Sequence, residues 1–352
     1  MGFRGRVLIA FIRLGRPQFL VGGFLLYGIG AALAVYRGAG FDVTMYALGQ
    51  ATVTSIQLMT HYANDYFDLA ADQANVTPTR WSGGSRILPS GILAPRVALI
   101  AARVLGAMGL LGAGVIAGRG IAGGAEAGVG ALVAAGVLVL AQALAWFYSA
   151  PPVALHSRGL GELTTALVVT GLTPLAGFLL QFPHVAGMSG TTVVRSLAAL
   201  GAVLWPLIGL QFTMLLAIEF PDAAGDAAVG KRTLVVRWGG PAAAALGRAV
   251  LVAVYGALPL FAVAGFVPAP VLWGAAWTLP VAVWQFLSLG QGGPRGQRGP
   301  DSQDDQNGKQ SMDTRNNPEQ WASLAFRGVA LLVATAAGEL AGLVWLITAR
   351  AA

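Results

Sequence analysis

Apolar residues in this chain neither alternate with polar ones, as in a strand, nor keep to one stripe of a helix. They continue for some twenty positions and stop at short breaks rich in arginine, glycine or proline. A helix needs roughly 20 such residues to cross about 30 Å of hydrocarbon. Runs of that kind fall at roughly 19–36, 43–63, 97–118, 125–147, 161–181, 196–218, 241–266, 268–289 and 323–349. The pattern predicts an all-α, polytopic membrane protein of about nine transmembrane helices, with residues 1–352 as a single membrane-embedded domain. One segment departs from it. Residues 290–320, GQGGPRGQRGPDSQDDQNGKQSMDTRNNPEQ, are polar and nearly free of large apolar side chains, and are expected to form a disordered loop between the eighth and ninth spans. Asp301, Asp304, Asp305 and Asp313 within it are expected to be solvated.

Composition agrees with the pattern: 56% of residues are hydrophobic, 11% are charged and the mean hydropathy is +0.67, which excludes an ordinary soluble domain. The net charge of +7 is then a matter of topology. With nine spans, eighteen Lys and Arg fall on one side and only Arg37, Arg119, Arg195 and Arg350 on the other. The positive-inside rule places the N-terminus on the cytosolic side, in an integral multi-pass protein in contact with anionic headgroups. No basic run is interleaved with aromatics, so nucleic acid is not an expected partner. Cysteine is absent, and His61, His156 and His184 lack the spacing of a zinc site, so they read as packing or interface residues.

Against this background two acidic segments stand out. The first is Asn64-Asp65-Tyr66-Phe67-Asp68-Leu69-Ala70-Ala71-Asp72; the second is Asp222-Ala223-Ala224-Gly225-Asp226, followed by Gly230-Lys231-Arg232-Thr233-Leu234. Charged side chains next to hydrocarbon cost a few kcal/mol each, so five aspartates in two short segments point to a function. Spacings of three and four put Asp65, Asp68 and Asp72 on one helical face, and Asp222 and Asp226 on another. Such patches of hard oxygen ligands suit Mg²⁺, which uses one or two carboxylates and completes its shell with water and substrate phosphate. Both segments are followed by phosphate-type cations and donors: Arg80 and Gly83-Gly84-Ser85-Arg86 after the first, Lys231 and Arg232 after the second.

The first segment resembles the NDxxDxxxD motif of the UbiA family of intramembrane prenyltransferases, and Asp222 to Leu234 resembles that family's second motif, DxxxDxxxGKRTL. A third stretch, Tyr148-Ser149-Ala150-Pro151-Pro152 with Leu155 and Arg158-Gly159-Leu160-Gly161-Glu162, is similar to a loop of the menaquinone-type branch, the 1,4-dihydroxy-2-naphthoate polyprenyltransferases. The resemblance implies a UbiA-type helical bundle and Mg²⁺-dependent transfer of a polyprenyl group from its diphosphate to an aromatic acceptor through an allylic carbocation. It implies metal sites at Asn64, Asp65, Asp68 and Asp72 and at Asp222 and Asp226. It implies diphosphate contacts from Arg80, Arg86, Arg158, Lys231 and Arg232, and catalytic roles for Asp68, Asp222, Tyr148 and Lys231.

The chain departs from the branch ahead of the second motif, where Asn and Arg are usual and Ala217-Ile218-Glu219-Phe220-Pro221 stands instead. Pro221 is expected to make a rigid turn. Glu219 either supports that turn or assists proton removal from the acceptor. These changes bear on the acceptor, for which 4-hydroxybenzoate, homogentisate or another phenol are alternatives. A cation-coupled transporter is the rival from another class, but transporters place their acids at mid-membrane in broken helices.

Overall fold

The computed structural model describes residues 3–182, 190–292 and 318–351. Residues 293–317 of the expected polar loop, and His184, lie outside the described residues. Among the described residues there is no strand. The helices are α1 (Phe3–Leu14), α2 (Leu20–Tyr36), α3 (Val43–Phe67), α4 (Leu69–Ala74), α5 (Pro95–Ala122), α6 (Ala125–Ser149), α7 (Gly161–Leu167), α8 (Thr173–Gln181) and α9 (Gly190–Ala228). They continue with α10 (Leu234–Trp238), α11 (Gly240–Val263), α12 (Ala269–Ala276), α13 (Leu279–Gly292) and α14 (Pro318–Ala351). A single π turn, Val168–Leu172, joins α7 to α8, so the two form one crossing. Local chemistry explains several starts: the Asp42 side chain caps α3 through the Met45 N–H at 2.9 Å, and proline opens α5.

Eight helical stretches among the described residues are long and apolar enough to cross a membrane. The ninth expected span, α3, is long enough but too polar, since it carries Gln50, Thr52, Thr54, Ser55, Gln57, Thr60, His61 and Asn64. It can carry them because it packs inside the bundle, against α2, α5, α6 and α8. Glycines allow the closest crossing: a Cβ at Gly30 would strike the Pro174 carbonyl, and one at Gly177 the Tyr27 carbonyl, so α2 and α8 meet backbone to backbone.

The buried core forms two bodies. One gathers residues 10–180 from α1, α3, α5, α6 and α8; the other gathers α9, α11, α13 and α14, with α2 and α8 feeding both. Between them lies a cavity of about 310 Å³ lined by α2, α3, α6, α7, α9 and α14. Arg37 reaches Ser196, and Arg350 reaches the Tyr36 carbonyl at 2.9 Å and lies over its ring. The acidic segments assemble with Arg16 and Lys231.

Pro221 makes no turn. It sits inside the continuous helix α9, where its missing N–H leaves the Ala217 carbonyl without its helical donor. The Pro221 carbonyl itself accepts from Thr77 Oγ1 at 3.0 Å, which ties α9 to the segment after the first acidic cluster.

Candidate active site

Asn64, Asp68 and Asp72 from the end of α3 and from α4 face Asp222 and Asp226 of α9 across one end of the cavity, with Lys231 and Tyr148 in the same wall. The two acidic segments, some 150 positions apart in the chain, thus form one site. The cavity beyond them is mainly apolar, with Leu25, Leu26, Val53, Ile56, Leu138, Met214, Leu332 and Val333 in its walls.

Asp68 is the centre of a network. Lys231 Nζ donates to its Oδ2 at 2.9 Å, Asn64 Nδ2 donates to the same oxygen at 3.0 Å, and the His156 ring bonds Oδ1. Burial pushes the Asp68 carboxyl up, but Lys231 and His156 outweigh it and hold it well below the usual carboxylate range. Lys231 also lies 3.3 Å from Asp226 Oδ1. Burial alone would lower the Lys231 ammonium, yet Asp68 and Asp226 raise it well above its ordinary value, so it stays charged.

Asp72 is in the opposite situation. Its Oδ2 is buried with no hydrogen-bond partner. Burial, then the charges of Asp65 and Asp68, push its carboxyl up to about 7. An orphaned carboxylate oxygen packed against Gly84, on a residue that lines the same cavity as Asp222 and Asp226, fits an oxygen-loving divalent cation, which would supply the missing positive charge. Among the described residues no three acids or histidines come together closely enough to hold an ion by themselves. An open arrangement of this kind suits an ion that keeps waters and binds substrate phosphate.

In the second cluster Asp226 shares Lys231, whereas Asp222 is held by neutral donors: Asn75 Nδ2 reaches its Oδ1 at 2.7 Å and the Gly83 N–H reaches its Oδ2 at 3.0 Å. Gly83 and Gly84 have φ of +73° and +71°, and a Cβ on either would meet Asn75 or Asp72, so glycine alone lets this loop close over the acids.

Several sequence-predicted residues stand elsewhere. Asp65, unlike Asn64 and Asp68, does not line the cavity. It is 1% exposed, ion-paired with Arg16 and bonded by the N–H and hydroxyl of Ser85. Arg86, at φ +62°, donates to the Asp72 carbonyl instead of facing the cavity. Arg80 is exposed over the Trp81 ring, Arg158 is exposed and bonds the Pro152 carbonyl at 2.8 Å, and the exposed Arg232 binds the Ser157 carbonyl through its backbone N–H. Conversely, sequence reasoning missed Arg16, which lines the cavity, and His156 and Asn75, which anchor Asp68 and Asp222. His156 is more than packing: its ring lies 5.1 Å from that of Tyr148 and links it to the acids. Its place inside the Tyr148–Glu162 stretch was the available signal.

A family model described as the UbiA prenyltransferase family matches residues 24–295. No curated protein matches the chain. Among solved structures, a UbiA homolog from Aeropyrum pernix K1 in its apo form is similar at a TM-score of 0.61 and 16% identity, over 90% of this chain and 96% of that one. A UbiA homolog from Archaeoglobus fulgidus bound to DMAPP and Mg²⁺ gives 0.54 at 16% identity, over 92% and 98%. A structure described for digeranylgeranylglyceryl phosphate synthase gives 0.52 at 15% identity, over 96% and 99%. At these identities the likeness is one of fold.

Proposed function

Because the chain belongs to the UbiA prenyltransferase family, we propose that it transfers a polyprenyl group from polyprenyl diphosphate to 1,4-dihydroxy-2-naphthoate or a related quinone precursor, with Mg²⁺ as cofactor. The observation that carries the reading is a single cavity with carboxylates and Lys231 at one end and apolar walls beyond. A diphosphate fits the first and a prenyl chain the second. The DMAPP and Mg²⁺ held by the Archaeoglobus fulgidus homolog support the same assignment.

Asn64, Asp68, Asp72, Asp222 and Asp226 would hold the metal, which offsets the diphosphate charge and eases its departure. Lys231, fixed between Asp68 and Asp226, supplies a preorganised cation to the leaving oxygens. Asn75 and Gly83 aim Asp222, while His156 aims Asp68 and sets the Tyr148 ring beside it. The apolar walls exclude water from the allylic cation, and the Tyr148 π face stabilises it. The eighteen-to-four distribution of basic residues supports a cytosolic position for the acidic end.

The test is a transfer assay in purified membranes with Mg²⁺, a set of polyprenyl diphosphates and a panel of acceptors including 4-hydroxybenzoate and homogentisate, with lipid products read by mass spectrometry. A Mg²⁺-dependent prenylated naphthoquinol precursor is the expected result. A different prenylated ring would keep the reaction and change the acceptor.

A further inference from the structure

Glu219 and Glu162 form a second acidic feature that the diphosphate end does not use. Glu219 lies on the cavity face of α9, three residues and thus about 4.5 Å before Asp222 along the axis, and is only 6% exposed. Glu162, in the first turn of α7, is fully buried, and its Oε1 accepts the Leu234 N–H at 2.9 Å. The two side chains stand within hydrogen-bond reach of each other. Yet Oε2 of each has no donor from the protein. Neighbouring carboxyls with unpartnered oxygens can be satisfied by one shared proton, which would leave the pair with a single negative charge beside the cavity.

Further polar groups lie along this stretch of wall. Gln211, eight residues further into α9 and about 12 Å along the axis, is 4% exposed, lines the cavity and bonds no described residue. Thr164 and Thr165 of α7 line the same region, with their hydroxyls donating to the Leu160 and Glu162 carbonyls and able to accept from a ligand. The Tyr148 side chain lines the cavity as Glu219 does. A prenyl chain has no use for any of these groups. The other substrate, a hydroxyaromatic ring, has.

We propose that Glu219, backed by Glu162, accepts the proton of a ring hydroxyl on the aromatic acceptor, one helical turn inside the acids that face the diphosphate. This rests on the prenyl-transfer reading above. The C1–O bond of the prenyl diphosphate breaks and its electron pair leaves with the diphosphate. A π pair of the ring forms the new bond to C1, and the hydroxyl proton passes to the Glu219 carboxylate, so that the ring becomes a neutral ketone form. Tautomerisation moves the proton of the alkylated carbon to the oxygen, and Glu219 releases its own proton to water. Glu162 acts as a positioning residue through its bond to the Leu234 N–H. The charged and titratable groups facing Glu219 are Glu162 from α7, Tyr148 from α6, Lys231 from the segment before α10, and Asp226 on its own helix.

The experiment measures kcat and KM for wild type, Glu219→Gln, Glu219→Asp and Glu162→Gln with a series of hydroxyaromatic acceptors of graded hydroxyl acidity, at fixed Mg²⁺ and prenyl diphosphate. Wild type should vary little along the series. Glu219→Gln should lose about 10²-fold in kcat on weakly acidic acceptors and recover toward wild type on those already ionised at the assay pH. Glu219→Asp should keep the flat dependence at reduced kcat, which serves as the decisive comparison where Glu219→Gln fails to insert. Glu162→Gln should lower kcat at unchanged KM and keep the flat dependence; unaltered kcat would remove Glu162 from the proposal. Equal loss of Glu219→Gln on every acceptor, or no loss, overturns the inference while leaving prenyl transfer intact. A wild-type protein that prenylates no hydroxyaromatic overturns both.

Discussion

In the first carboxylate cluster Asp65 and Asp68 are held by cations of the protein itself, Arg16 for one and Lys231 with His156 for the other. In the second cluster Asp222 is held by neutral donors, the Asn75 amide and the Gly83 N–H. The difference separates two tasks. Cations already spent on Asp65 lock the N-terminal segment to the end of α3. The acids that keep spare capacity are Asp72, with its unpartnered oxygen, and Asp222, whose partners are neutral. Asp68 stands between the tasks, since its bond to Lys231 presents a cation to the same end of the cavity.

The most severe test of that separation is to remove an acid with spare capacity. Asp222→Ala, Asp72→Ala and Asp68→Ala should each reduce Mg²⁺-dependent transfer by about 10³-fold or more while the protein stays folded and inserted. A fully active Asp68→Ala enzyme would end the metal assignment. Asp65→Asn should act on stability instead, because it strands a buried guanidinium. The loss should be about 3–5 kcal/mol, visible as a lower Tm in detergent, with the Mg²⁺ requirement of the surviving fraction unchanged. Should Asp65→Asn weaken Mg²⁺ as much as Asp72→Ala does, the clusters are equivalent after all. Asn75→Ala frees Asp222 from its aim and should raise the Mg²⁺ concentration for half-maximal rate by about 10- to 100-fold. At the small end, Arg80→Ala and Arg232→Ala remove exposed side chains and should change kcat/KM by less than about threefold.

Long apolar runs made the spans readable, because a bilayer imposes a length that short-range composition reveals. The acids were readable for a related reason: charge is rare in such a chain. What lies between them was not. Arg16 meets Asp65 across 49 positions, His156 meets Asp68 across 88, and Asn75 meets Asp222 across 147, and no local spacing encodes such meetings. The helical spacing of Asp65 and Asp68 could not show that Arg16 and Ser85, distant in the chain, cover Asp65. Pro221 misled in the other direction. A proline in a soluble chain suggests a stop, whereas in a long apolar helix neighbouring segments absorb the lost bond and the helix continues.

The polarity of α3 has a consequence for how the protein is made. Insertion machinery releases a helix into lipid on the strength of its own apolar surface, and α3 offers Gln57, Thr60, His61 and Asn64 on the face that later lines the cavity. Such a segment leaves the translocon only together with a companion, and α2 and α5, which flank it in the chain and pack against it in the fold, are the companions available. The first three crossings are therefore one unit of biogenesis, and a chain interrupted before α5 would leave α3 with its neighbour α2 as its sole route into the bilayer.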